Sequence, residues 1–408
     1  MKYKFLILLV LLAGITTINA QTKQFITTKG KEIISPDGKP FLIKGTNLGN
    51  WLVPEGYMFK FKNTNSPRLI NEAITELIGP GESRIFWEKF LDTYITQEDI
   101  HYLKSTGMNS IRIPFNYRLF TNENYMGDND STRGFTFLDK AIKWCKAEGL
   151  YVILDMHCAP GGQTGDNIDD GYGYPFLFED DASQQLTIAI WQKIADHYKN
   201  ETAVMGYDLL NEPIAHYFNV AEMNPKLEPL YKRITKAIRE VDNNHILFIG
   251  GAQWDSNFKI FGQPFDSKLV YTFHKYWTKT TKAVIQEYID FRDKYNVPIY
   301  CGETGENTDE WVREFRKTLE ENNIGWHFWP YKKLDNPRGF VSFKVPEYYD
   351  QVIAYADSPK NNFADIRRLR PKNMDEIKKA LDGFLLNSQF KNCLKNKGYI
   401  SALGLKPE

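Results

Sequence analysis

The chain has 408 residues, 42% of them hydrophobic and 14% aromatic, and its 51 basic side chains are balanced by 51 acidic ones. Zero formal charge leaves no electrostatic footprint for DNA or RNA, whose affinity comes mainly from neutralising phosphates, so no nucleic-acid partner is expected. The apolar content excludes a disordered chain, and only 19 Pro with 28 Gly exclude a collagen-like or linker-like one.

The first segment reads as a targeting signal. Lys2 and Lys4 precede an apolar run over 5–15, and Ile18-Asn19-Ala20 places a small residue ahead of polar Gln21. That order predicts a secretory signal peptide over 1–20, too short to span a bilayer. The mature protein is expected to be secreted or periplasmic. No later stretch approaches the ~18–20 apolar residues of a membrane span, so no span is expected. Cysteines at 145, 158, 301 and 393 have neither CxxC spacing nor the number for a disulfide framework. Cys158 and Cys301 read as buried strand-end residues.

From there short apolar runs recur, each followed by a helical pattern. Candidate strands are 41–49, 110–115, 151–157, 204–212, 246–251, 269–276, 298–304 and 324–331. Amphipathic segments lie between them. In 184–198, Leu186, Ile190, Trp191 and Ile194 recur at helical spacing; in 308–322, Trp311, Phe315 and Leu319 stand four apart. Eight strands alternating with helices predict a single (β/α)8 barrel of the α/β class. A doubly wound open sheet is the alternative, but no phosphate-binding Gly-rich turn follows the first strand. The segment 54–96 and the Gly-, Asp- and Tyr-rich loop 159–181 are long connections of the kind that build barrel active sites. The acidic cluster 166–170 lacks EF-hand spacing and reads as a solvated loop. The chain is expected to form one barrel domain over 21–345 with a C-terminal extension over 346–408, whose helix at 375–387 would pack on the barrel.

Polar residues gather where the apolar runs end. The second strand carries Arg112, the third ends in His157, and the fourth in Asn211-Glu212-Pro213. The sixth ends in His274 and Tyr276, the seventh in Glu303, the eighth in Trp326 and Trp329. Each has a plain alternative: a core ion pair, a satisfied core histidine, a packed tryptophan, a solvated glutamate. Six strands ending this way together point to a site, because barrel enzymes take their catalytic groups from these ends.

Two glutamates on separate strands, with aromatic floors and hydrogen-bond donors, suit glycoside hydrolysis. One carboxylic acid protonates the leaving oxygen while the other carboxylate attacks the anomeric carbon. Arg112 and the Tyr276 hydroxyl can stabilise negative charge on Glu303, which leaves Glu212 as the acid/base. Trp329 would be the floor on which a sugar stacks.

Arg112 in SIRIPF, His157 in DMH, Asn211-Glu212-Pro213, His274 and Tyr276 in FHKY, Glu303 in CGETG and Trp329 in GWHFWPYK resemble glycoside hydrolase family 5, in that family's order over about 41–345. The resemblance implies retaining chemistry, Glu212 as acid/base, Glu303 as nucleophile, Asn211 as partner of the sugar 2-hydroxyl, and no metal or cofactor. GTNLGNWLVPEGYMF, FLDTYITQEDI and HCAPGGQTGDN look closest to the exo-β-1,3-glucanase-like branch, in which the glutamate matching Glu55 contacts the terminal sugar. Cys158 stands where that branch usually has glycine, and HKYWTKTT differs at the aromatic entrance. The family's peptide bond after the strand-eight tryptophan is commonly cis; Pro330 follows here, and X–Pro bonds lower the cis penalty to about 0.5–1 kcal/mol.

The expected protein is a monomeric β-glucan hydrolase. Endo-acting β-1,4- or β-1,6-glucanase and mannanase are alternatives within the family, and an inactive glycan-binding barrel is the alternative outside enzymology. An aldolase or metal hydrolase fits less well: no strand-end lysine stands out, and His157 and His274 lack the close spacing of a zinc pair.

Overall fold

The computed structural model describes residues 25–407; the signal-peptide segment 1–20 lies outside them. Eight parallel strands close a barrel: β1 (Lys44–Asn47), β2 (Ser110–Asn116), β3 (Tyr151–Cys158), β4 (Val204–Asp208), β5 (Ile246–Gly250), β6 (Leu269–Tyr276), β7 (Ile299–Gly305) and β8 (Gly325–Trp329). Closure comes from β8 pairing with β1, Trp326 opposite Lys44 and Phe328 opposite Thr46. All eight expected strands are present. The fourth stops at Asp208, four residues short of Glu212, because the chain there turns left-handed (Glu212 φ 45°, Ile214 φ 56°) and leaves the ladder.

Strand parity explains which residues face the axis. On β3, Val152, Leu154 and Met156 pack outward under the helices, while Ile153, Asp155 and His157 climb the barrel interior. The lower interior is apolar, with Ile43, Ile153, Met205, Ile246, Phe248, Val270 and Tyr300 packed together. A short hairpin, Thr27–Lys29 with Glu32–Ile34, adds Ile26 and Ile33 to that layer. The upper interior is polar, and it is the site. On β8 the same parity turns Trp326 outward, fully buried against Phe328 with its Nε1 donating to Glu320 Oε1 at 3.3 Å. Trp326 is therefore core, and only Trp329 of the two strand-eight tryptophans reaches the site.

The 54–96 segment contains two helices, α1 (Pro67–Ile78) and α2 (Pro80–Thr93), each with proline at its first position. The helix expected at 184–198 runs Asp181–Tyr198, and that at 308–322 runs Asp309–Glu321 with Thr308 capping Trp311 N–H. The tail helix is Met374–Asn387; its Phe384 stacks on Phe59 at 4.9 Å and 7°. Leu394–Lys395 pairs with Val341–Phe343, and Lys406 N–H donates to Thr106 O. One hydrophobic core joins the tail and the barrel helices. Among the described residues no helix is long and apolar enough to cross a membrane, and all four cysteines are free.

Candidate active site

The polar upper barrel is organised by Arg112, which projects inward from β2 and is wholly buried. Its Nε donates to Asp208 Oδ2 at 2.9 Å and its Nη2 lies 3.1 Å from Asp155 Oδ2. Nη1 donates to Asn47 Oδ1 at 3.1 Å and Glu303 Oε1 at 2.5 Å; Nη2 also donates to Asn211 Oδ1 at 2.9 Å. Burial opposes the guanidinium's charge, but Asp155, Asp208 and Glu303 outweigh it and hold the cation well above its ordinary range. Burial pushes Asp155 and Asp208 up to about 7 despite Arg112.

Glu303 owes its direction to a bulge. Phe273 is opposite Cys301, yet His274 is opposite Glu303, so Gly302 is the extra residue that turns Glu303 inward. A Cβ at Gly302 would lie 2.4 Å from Thr272 Oγ1 and 2.9 Å from His274 Nε2. The second carboxylate oxygen of Glu303 accepts from the Tyr276 hydroxyl at 3.0 Å. Arg112 and Tyr276 thus aim a cation and a donor at its two oxygens.

Glu212 sits in a different environment. Its backbone is left-handed, tied by its N–H to Asp255 Oδ2 at 3.2 Å. Gln163 braces the same turn, donating to His157 O and Asn211 O at 2.8 Å each. Burial pushes the Glu212 carboxyl up to about 7, against smaller lowering effects of His157 and Arg112. His274 Nδ1 is 2.8 Å from Glu212 Oε1. Burial also keeps both histidines neutral, pulling His274 down to about 3 and His157 to about 4.

Trp329 lies parallel to His157, with ring centres 5.5 Å apart and planes at 5°, and its Nε1 donates to the Tyr57 hydroxyl at 2.7 Å. The Trp329–Pro330 bond is cis. Around these groups lies a cavity of about 570 Å³ lined by Glu55, Tyr57, His157, Glu212, Trp254, His274, Tyr276, Trp277, Glu303, Glu306 and Trp329. Glu55 is almost fully buried at its edge, and burial followed by the repulsion of Glu303, Glu212 and Glu306 holds it well above the usual carboxylate range. One oxygen of Glu212, Nδ1 or Nε2 of His274 and one oxygen of Glu303 lie within 4.8 Å of one another. Arg112 supplies a cation 2.5 Å from Glu303 within this cluster.

The Cellulase (glycosyl hydrolase family 5) family model matches residues 72–335. The chain belongs to glycoside hydrolase family 5. Beta-xylosidase of Phanerodontia chrysosporium is 33% identical over 262 residues, covering 64% of this chain and 51% of that protein. Endoglucanase C of Acetivibrio thermocellus is 28% identical over 314 residues, covering 62% and 88%. Probable glucan 1,3-beta-glucosidase A of Aspergillus fumigatus is 28% identical over 213 residues, covering 51% and 49%. The chain therefore spans about half the length of the first and third of these relatives.

Of the residues singled out in this family 5 sequence, nine converge on the cavity and Trp326 does not. Glu55, His157, Glu212, His274, Tyr276, Glu303 and Trp329 line it, while Arg112 and Asn211 lie buried just beneath. Sequence reasoning missed Asp155 and Asp208, although each is an acid at an inward position of an apolar strand. It missed Asp255, Tyr57, Trp254, Trp277 and Glu306, which lie outside the barrel strands, and Lys333, which pairs with Glu306 at 2.5 Å from a short strand after the barrel. The acidic cluster is also no solvated loop. Asp169 accepts the N–H groups of Thr164, Gly165 and Gly171, and Asp170 pairs with Arg118 at 2.6 Å. Both are buried because they fold the 159–181 loop around themselves.

Proposed function

We propose that this protein is a retaining β-glycoside hydrolase acting on a β-glucan, with Glu303 as nucleophile and Glu212 as acid/base. The observation that carries the reading is the short gap between the two carboxyl groups, with oxygens within 4.8 Å. Retaining glycosidases hold their carboxyls about 5–5.5 Å apart, whereas inverting ones need about 6.5–9.5 Å to admit a water. Glu303 attacks the anomeric carbon as Glu212 gives its proton to the leaving oxygen. A glycosyl ester of Glu303 forms and the C–O bond to the leaving group breaks. Glu212, now a carboxylate, takes a proton from water, whose oxygen attacks the same carbon and frees Glu303.

Because the acid must reach the leaving oxygen, the leaving group lies on the Glu212 side, beside Trp254 and Trp277. The bound sugar then rests on Trp329, with Glu55 and Tyr57 at its far edge. A buried carboxyl there suits the hydroxyls of a terminal sugar, which favours chain-end action. The likeness to a glucan 1,3-beta-glucosidase supports a β-1,3-type substrate. Export through residues 1–20 completes the reading.

The test is product release from β-1,3-, β-1,4- and β-1,6-glucans and a mannan, with Glu303→Gln beside the wild type. Monosaccharide from β-1,3-glucan, born as the β-anomer and absent with Glu303→Gln, is the expected result. A ladder of oligosaccharides would replace chain-end by internal cleavage, another glycan consumed would replace the substrate, and binding without turnover would leave a glycan-binding barrel. An amino terminus at Gln21 in the exported protein checks the signal peptide.

A further inference from the structure

The turn after β5 is built at a conformational cost. Gln253, Trp254 and Asp255 all have left-handed backbones (φ 53°, 55° and 56°), and none is glycine. Residues held this way are strained and persist only where neighbours over-determine them. Here they do. Gln253 N–H donates to Ile214 O at 2.9 Å, Gln253 Nε2 donates to Asn224 Oδ1 at 2.8 Å, and Asn257 Nδ2 donates to Gln253 Oε1 at 2.8 Å. Gly250 leaves the space, since a Cβ there would fall 1.7 Å from Asp255 Oδ1. The product of this strain is one carboxyl group, wholly buried, inserted behind the acid/base.

Asp255 Oδ2 touches two parts of that machinery. It accepts the backbone N–H of Glu212 at 3.2 Å and lies 3.3 Å from His274 Nε2. The other ring nitrogen, Nδ1, faces Glu212 Oε1 at 2.8 Å. A neutral imidazole has one N–H and one lone pair, and the partner of one nitrogen decides what the other offers. Burial, then the repulsion of Asp208 and Glu212, holds the Asp255 carboxyl well above the usual carboxylate range. With Oδ2 engaged by the Glu212 N–H, Oδ1 is the atom left to carry a proton, and Oδ2 stays an acceptor toward Nε2.

We propose that Asp255 is a positioning residue that fixes the His274 tautomer. With the N–H on Nε2, toward Asp255, the Nδ1 lone pair accepts the proton of the Glu212 carboxylic acid. His274 then stabilises the protonated acid, the form needed to cleave the glycosidic bond, and Asp255 also holds the left-handed Glu212 backbone. This inference rests on the assignment of Glu212 as acid/base. The other groups facing Glu212 are Arg112 from β2, Asp155, His157 and Asp166 from β3 and its loop, and Tyr276 from β6. Glu303 on β7 and Glu55 after β1 complete the set. None of them contacts His274 Nε2, so the tautomer read on that ring reports Asp255, whereas activity in a variant also carries the loss of the Glu212 backbone contact.

Asp255→Asn keeps the size but can turn an N–H toward Nε2, driving the ring hydrogen to Nδ1, where it would stabilise the Glu212 anion. Nitrogen-15 NMR of the imidazoles, with His274 assigned by its loss in His274→Gln, reads the tautomer without turnover. The expected result is N–H on Nε2 in the wild type and on Nδ1 in Asp255→Asn. N–H on Nδ1 in the wild type would overturn the proposal, and that result needs no variant at position 255 to fold. On aryl β-glucosides the alkaline limb of kcat/KM should fall by about one pH unit in Asp255→Asn. The loss should be at least tenfold for a 4-nitrophenyl leaving group and under threefold for 2,4-dinitrophenyl, which needs little acid assistance. Equal losses for both, with an unmoved limb, would make Asp255 a merely structural residue. Failure of the glycosidase reading is distinct: the wild type would cleave neither aryl glucoside, and the tautomer would still be read.

Discussion

A Cβ on Gly49 would lie 2.8 Å from two carbons of the Trp329 indole, so the chain leaving β1 passes directly against the ring. Gly49 has no left-handed backbone to explain it; the requirement is the close approach itself. The ring is held by the Tyr57 hydroxyl and stacked on His157, so moving it disturbs both contacts. Gly49→Ala should tilt the indole and raise KM roughly tenfold, with an overpacking cost of about 1–3 kcal/mol. A glucan titration beside a denaturant melt checks both; unchanged KM with lowered stability would separate the ring from the substrate.

Trp329→Ala removes the ring instead of tilting it. Trp329 is 4% exposed, so truncation should cost about 3–5 kcal/mol in stability as well as most of the sugar affinity. Trp329→Phe keeps the stack on His157 but loses the bond to Tyr57, and should recover most of the stability. Equilibrium unfolding of the two variants checks the order.

Burial pushes Glu212 from its ordinary 4.5 up to about 7, which sets two pH effects with a definite sign. The alkaline limb of kcat/KM should fall near pH 7, where the acid loses its proton. For stability, a carboxyl whose folded value is raised contributes fully below about 4.5, and that contribution is lost as pH rises through about 7. Glu212→Gln carries no such dependence. Its stability relative to wild type should therefore rise between pH 4.5 and 7.5, by up to about 3 kcal/mol. A constant difference across that range would contradict the raised value.

Lys332 joins the barrel rim to the tail. Its Nζ lies 2.9 Å from Asp99 Oδ1 and donates to Ser388 O at 2.8 Å, and both ion-pair partners are wholly buried. Lys332→Met leaves Asp99 without its cation, a loss of about 3–5 kcal/mol for a broken buried pair. Urea unfolding should register that loss at neutral pH, while Lys60→Met, in an exposed pair with Asp335, should cost under about 1 kcal/mol.

By itself the sequence determined the barrel and most of the site. Eight apolar runs separated by helical periodicity are a local signal, and the polar residues on six of them mark the end where a barrel site forms. His157, Asn211-Glu212 and Glu303 could be read because each stands at or just beyond a strand end, and Arg112 because a charge inside an apolar strand stands out. Tertiary structure decided what lies between those positions. The bulge at Gly302 turns Glu303 inward, and no pattern in CGETG announces an extra residue. Trp326 and Trp329 look alike in sequence, and parity on the closed sheet sends one to the core and the other to the site. Asp255 lies 43 residues from Glu212 and 19 from His274, and the Trp329 indole reaches Tyr57 across 272 residues. Such contacts exist only after β8 closes on β1, because parity is fixed along a strand by local geometry, whereas loop meetings depend on closing the whole barrel.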